Sequence, residues 1–167
     1  MSDFLPTNYE VPASNGHYLK FENGDNRFRI LDRPILGWVY WTNETKPCRL
    51  KEKPSALPDD IQVKDGKKTA VKHFWAFPVW NYKTKQIEVC EITQVSIQKA
   101  IEALAKDAEW GTPIGYDIKV SRSGEGLTTE YQVMPQPHKA LDEAIEKLWE
   151  DTKCDLNKLF TGDDPFA

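Results

Sequence analysis

Residues 71–82 read Val-Lys-His-Phe-Trp-Ala-Phe-Pro-Val-Trp-Asn-Tyr, and no other stretch restricts the fold so tightly. A run this dense in aromatic side chains reads as a strand. Pro78 removes one ladder donor. Lys83, Thr84 and Lys85 then turn the chain into a second strand, 86–94. Parity divides the first strand. One face carries Lys72, Phe74, Ala76, Pro78, Trp80 and Tyr82; the other carries Val71, His73, Trp75, Phe77 and Val79. The second face is the more uniformly apolar, so Trp75, Phe77 and Val79 are expected in the core. Lys72, Phe74, Trp80 and Tyr82 are then expected on an open, ligand-facing side.

Elements of matching type flank this hairpin. Residues 26–32 alternate as a strand, Pro34 interrupts, and 35–42 resume it, with Gly37 a candidate bulge or bend. At 38–41 the alternation does not decide which of Trp38/Tyr40 and Val39/Trp41 is buried; Tyr40 and Trp41 are both kept as candidate contacts. Residues 43–70, with Pro47, Pro54, Pro58 and Gly66, read as a long polar loop. Ile97, Ala100, Ile101 and Leu104 form one helical stripe, with Ser96 as candidate N-cap. Residues 115–122 and 127–134 alternate as a hairpin around Gly124-Glu125-Gly126. Leu141, Ala144, Ile145 and Leu148 repeat helically, and a short helical segment is expected at 156–160. Residues 1–20 read as an irregular arm. A bent strand, a hairpin, a helix and a second hairpin is the order of a five-stranded OB-fold, a Greek-key barrel with its helix between strands 3 and 4. The expected class is therefore mainly β (α+β), with a C-terminal helix and a flexible acidic tail. Residues 1–138 would form the domain and 139–167 its appendage.

The chain has 167 residues, 40% hydrophobic and 29% charged, which suits a folded domain rather than a disordered one. No run approaches the roughly 18 apolar residues of a membrane span, so no membrane partner is expected. Met1 to Glu10 hold no Lys or Arg and no apolar run, unlike a signal peptide. Cys48, Cys90 and Cys154 are an odd, widely spaced set, which fits a reducing compartment and a cytoplasmic location. Chemistry finds little support. No Gly-Lys-Ser/Thr phosphate loop and no Gly-x-Ser-x-Gly elbow occurs. His17, His73 and His138 match no metal spacing with the cysteines. Asp59-Asp60 reads as a solvated turn. No catalytic residue, metal or cofactor is expected, and binding is the favoured class.

Charge is unevenly placed. The net value is −4, and residues 139–167 alone hold four lysines against eight acids. Residues 44–72 carry eight bases and five acids. Within that stretch Lys64, Lys67, Lys68 and Lys72 can reach phosphates, and Lys119 and Arg122 on the last hairpin could extend the track. Aromatic faces beside such cations suit stacking on bases. The ending Asp163-Asp164-Pro165-Phe166 pairs carboxylates with one aromatic anchor, a candidate partner-binding element.

The segment Lys72-His73-Phe74-Trp75-Ala76-Phe77, the stretch Glu91-Ile92-Thr93-Gln94 and the ending Gly162-Asp163-Asp164-Pro165-Phe166 resemble single-stranded-DNA-binding proteins encoded by bacteriophages. The ending is similar to the acidic, Phe-tipped tail of bacterial single-stranded-DNA-binding proteins. The chain lacks the Cys/His zinc site of the best-known phage member and the long Gln/Gly/Pro linker of bacterial forms. The resemblance implies an OB-fold that coats single strands without sequence preference during replication, recombination and repair, as monomer or dimer, with cooperative binding on DNA left open. It also implies that the tail recruits replication or recombination proteins in the host cytoplasm. The rival readings are an RNA- or oligosaccharide-binding module and a small inhibitor of a host enzyme. The basic loop disfavours neutral sugars, and lysines among the C-terminal acids weaken mimicry of DNA.

Overall fold

The computed structural model describes Phe4 and residues 18–167. The other positions of the N-terminal arm, His17 among them, lie outside the described residues, and so does all of Met1 to Glu10 but Phe4. In chain order the strands are β1 (Gly24–Ile30), β2 (Ile35–Trp41), β3 (Pro47–Leu50), β4 (Val63–Lys64), β5 (Lys67–Lys68), β6 (Lys72–Asn81), β7 (Gln86–Ile92), β8 (Asp117–Ser123) and β9 (Glu130–Pro135). Helix α1 (Val95–Lys106) lies between β7 and β8, and α2 (Glu143–Asp151) follows β9. Short 3-10 helices occupy Gly126–Thr128 and Leu156–Thr161.

The aromatic strand β6 is the hub. Along one edge it pairs antiparallel with β1 (Val79–Asn81 opposite Phe28–Ile30) and with β2 (Lys72–Ala76 opposite Ile35–Val39). On its other edge it pairs with β7. β1 continues to β8 and β8 to β9, all antiparallel, while β3 extends the sheet beyond β2. The fold is thus mainly β, one large antiparallel sheet with few helices. No pairing joins β7 to β9 among the described residues; α1 packs against β9 instead. The edge of β7 is met by Tyr18, bridged in parallel to Val89, and by Leu19, whose amide donates to the Val89 carbonyl at 2.9 Å.

Several local expectations are corrected. The path from β1 to β2 breaks at Asp32–Pro34, where Pro34 is expected to interrupt it, but Gly37 makes no bulge and sits in regular register opposite Phe74. Gly37 is needed for close approach: a Cβ there would stand 2.7 Å from the Leu50 carbonyl oxygen and 2.7 Å from the Phe74 ring. The 43–70 loop is not wholly irregular. A turn with Thr45 at φ 61° returns the chain so that Pro47–Leu50 pairs with β2, and β4–β5 form a small hairpin. Helix α1 is capped at Gln94, one residue before Val95, rather than at Ser96. Its first turn is held by the Gln98 side-chain amide, which donates to the carbonyls of Ile92 and His73. The last hairpin delays its second strand to Glu130, because residues 126–128 coil as a 3-10 turn.

The largest correction concerns parity. Both faces of β6 are buried at mid-strand. Phe77 and Val79 join Phe28, Ile30, Ile118, Val120 and the α1 residues Ile97 and Ile101 in a first core. Phe74 and Ala76 join Val39, Val89, Leu156 and Leu159 in a second core, with Phe160 and Phe166 packed on it. The C-terminal segment causes this. It folds back over the even face of β6, so Phe74 is interior and not on an open face. The ending is accordingly not a free tail. Pro165 is buried, its carbonyl accepts from the Asp155 amide at 2.8 Å, and Lys158 Nζ donates to the Ala167 carbonyl at 3.0 Å. No helix among the described residues is long and apolar enough to cross a membrane.

Candidate functional site

The strand β2 ends on an aromatic that the cores do not absorb. Val39 is interior, and two residues on, Trp41 shares its face but is 47% exposed. It stands in a cleft of about 890 Å³ bounded by β2, β3, the β4–β5 hairpin and the start of β6. Lys20, Lys46, Lys64, Lys72 and Arg49 line the same cleft, with Glu91 and Asp163 as its acids. The cations come from four separate stretches of chain that the sheet brings together. Lys72 is placed by its register with Val39, and Lys64 by the hairpin pairing with Lys67. Lys46 sits in the turn that starts β3, and Lys20 follows the Leu19–Val89 contact.

These charges are not equivalent. Arg49 is committed. Its Nη2 donates to Glu91 Oε2 at 2.6 Å with both side chains largely covered, and its guanidinium lies 5.9 Å from the Tyr18 ring centre. Burial holds the Tyr18 hydroxyl above its usual pKa, so it stays protonated and neutral. Lys46 meets Glu44 only at 3.8 Å, both side chains being exposed, a pairing of small worth. Lys20, Lys64 and Lys72 make no ion pair among the described residues. The cleft therefore offers three or four hydrated ammonium groups around one half-open indole. Those groups suit polyanions, and the indole suits a flat ring. On the far rim Leu159, Gly162 and Asp163 of the C-terminal segment close the cleft.

The expected site residues separate into groups. Trp41, Lys64 and Lys72 line the cleft, and Lys67 and Lys68 are exposed on the adjoining hairpin. Tyr40 is buried on the opposite parity and donates its hydroxyl to Asp60 at 3.0 Å, so it presents no ring face; bonding with Cys48 and burial raise its pKa. Phe74 lies in the second core. Trp80 and Tyr82 are half-buried at and just past the other end of the strand, roughly 26 and 33 Å of extended chain from Lys72. There Tyr82 donates to Asp117 at 2.9 Å beneath the Arg27 guanidinium, 5.3 Å from its ring centre. Burial and the Asp117 contact raise its pKa. Lys119 faces Asp25 at 3.7 Å, and Arg122 donates to the Phe21 carbonyl. That end is paired within itself except at Arg122 Nε, which is buried with no hydrogen-bond partner among the described residues, and it is not joined to the cleft. Asp163 and Asp164 are exposed, whereas Pro165 and Phe166 are drawn into the body. Lys20, Lys46 and Arg49 escaped assignment. Lys46 and Arg49 belong to the basic stretch and could have been taken with it. Lys20 carries no local signal, since only the pairing of Leu19 with β7 brings it near. Among the described residues no group of His, Cys, Asp and Glu side chains is placed to hold a metal.

The sequence is 26% identical over 139 residues to a protein of Escherichia phage T5 named "Probable ssDNA-binding protein", an alignment that covers 70% of this chain and 53% of that relative. The chain thus spans about half the length of the curated relative it matches. No family model matches the chain. No solved structure matches it.

Proposed function

We propose that this chain binds single-stranded DNA without sequence preference, and that it does so in the cleft around Trp41. The observation that carries the reading is the placement of one half-exposed indole among Lys20, Lys46, Lys64 and Lys72. The ammonium groups capture phosphates, which gives affinity with no regard to sequence. The indole stacks on a base, and every base has a π-face to offer. Duplex DNA hides those faces and meets the cleft by charge alone. The name of the phage T5 relative supports the same reading.

The strand pairing supports an OB-type barrel, with β1–β2 as its bent first strand, β6 and β7 as the next two, and β8 and β9 as the last two. The barrel is left open between β7 and β9, where α1 takes the place of a ladder. On this reading the cleft lies on the outer face of the first three strands. Coating of single strands during phage DNA replication, recombination or repair is the role such a protein would fill. The C-terminal segment serves the body in this reading: Phe166 closes the second core, and Asp163 sets an anionic rim on the cleft.

Fluorescence anisotropy with end-labelled dT oligonucleotide, the matching RNA and a duplex of equal length tests the proposal. Tight dT binding, with duplex much weaker at moderate salt, is expected. Equal affinity for duplex and single strand would overturn it, and tighter RNA binding would reassign the ligand.

A further inference from the structure

The turn between β8 and β9 is built to hold one leucine away from the protein. Gly124 and Gly126 take positive φ values of 83° and 53°, and a Cβ on Gly124 would collide with the Thr128 backbone. Thr128 Oγ1 donates to the Glu125 carbonyl at 2.7 Å and accepts from the Glu125 amide at 3.1 Å. At the apex Leu127 is completely exposed. Glu125 and Glu130 flank it. Elsewhere the molecule has an apolar groove of about 620 Å³ between α1 and the start of β2, floored by Trp75, Phe77 and Ile101. Leu36 and Val95 on its lip are more than half exposed. Its charged rim is Asp32, Arg33, Lys99 and Glu102. Glu102 is engaged by Lys106 at 3.6 Å, and Asp32 accepts from the Arg33 amide. Arg33 and Lys99 have no ion-pair partner among the described residues.

The two features are complementary, an apolar knob between carboxylates and an apolar hole beside unpaired cations. They cannot meet within one chain. The β1–β8 ladder runs from Gly24 opposite Arg122, beside the turn, to Arg29 opposite Asp117, beside the groove-lining Ile30 and Ile114. Its length alone separates them by roughly 20 Å. We infer that the occupant of the groove is a second copy of this chain: Leu127 of one copy seats between β2 and α1 of the next, with Glu125 and Glu130 against Arg33 and Lys99. Such an interface is head-to-tail. A pair formed by one such contact leaves a free groove on one copy and a free Leu127 on the other, so it adds copies in a row unless the rotation between them closes a ring. If the chain also binds single strands, the row gives neighbouring copies on one strand a direct contact. The contact itself does not rest on that reading.

Sedimentation velocity over a concentration series, with protein free and on a dT oligonucleotide long enough for several copies, tests the inference. The unaltered chain is expected to form open, concentration-dependent assemblies. Leu127→Glu and Val95→Glu change exposed side chains, and each is expected to weaken association by about tenfold or more. Mixed in equal amounts, the two variants are expected to pair one-to-one and stop. The intact groove of the first accepts Leu127 of the second, and nothing extends the pair. Leu36→Glu repeats the groove test from β2 should Val95→Glu disturb the helix. An unaltered chain that stays monomeric both free and on dT overturns the inference. So does a mixture that fails to pair, or an unchanged assembly in the variants, which would give the groove to a different occupant. Assembly of a chain that ignores dT would keep this inference and remove the proposed function.

Discussion

Asp117 carries more of the structure than any surface charge. It is 3% exposed and accepts from Arg27 at 2.7 Å, Arg29 at 3.2 Å and Tyr82 at 2.9 Å. Arg29 is itself buried and spends its other nitrogens on the carbonyls of Ile114 and Lys139. Removing the carboxylate leaves a buried guanidinium without its counter-charge. Asp117→Ala is therefore expected to cost about 3–5 kcal/mol in urea unfolding. A loss below about 1 kcal/mol would show that the network is wetter than its burial indicates. Phe74 makes the second residue-scale case. On an open face, Phe74→Ala would weaken ligand binding and spare the fold. In the second core it is expected to cost about 3–5 kcal/mol of stability instead.

At the scale of elements, the C-terminal segment decides what the sheet exposes. Leu156, Leu159, Phe160 and Phe166 cover the even face of β6, and the Asp155 amide ties the ending to Pro165. Deleting residues 161–167 is therefore expected to lower the melting temperature rather than leave folding intact. Cys154 offers a local readout, since burial pushes its thiol up to about 11 and leaves little thiolate at pH 8. Alkylation of Cys154 is expected to be slow in the full chain and faster after the deletion, with buried Cys90 protected in both. Equal rates would place the ending away from the second core. This element also marks where the sequence stops being legible. The β6–β7 hairpin, the α1 stripe and the last hairpin follow from local periodicity and turn residues, and all are present. Which face of β6 is open does not, because the cover comes from residues some eighty positions later in the chain. Hydrophobic alternation reports burial by a partner but not which partner. The extra residue pairs of β3 were hidden for a related reason: its four residues include Pro47 and Arg49, and only β2 makes them a strand.

For the whole molecule, the net charge of −4 says little about the ligand, because the charge is divided by place. The acids concentrate at 139–167, and Lys20, Lys64 and Lys72, which make no ion pair among the described residues, converge on one cleft. Trp41, Lys64 and Lys72, which line the cleft, were legible as candidates because the basic stretch and the end of β2 are each conspicuous alone. Their meeting, and the exclusion of Tyr40 and Trp80, required the sheet. The affinity for dT oligonucleotide should fall with salt as phosphate contacts are lost, and Lys64→Ala and Lys72→Ala should each lower the slope by about 0.7. The stacking contribution is separable from this. Quenching of tryptophan fluorescence by dT, compared between the unaltered chain and Trp41→Phe across a salt series, tests the central claim most directly. The cleft reading predicts that most of the quenching disappears in Trp41→Phe, while the salt slope is unchanged. Full quenching retained in Trp41→Phe would contradict it and move the bound strand to another face.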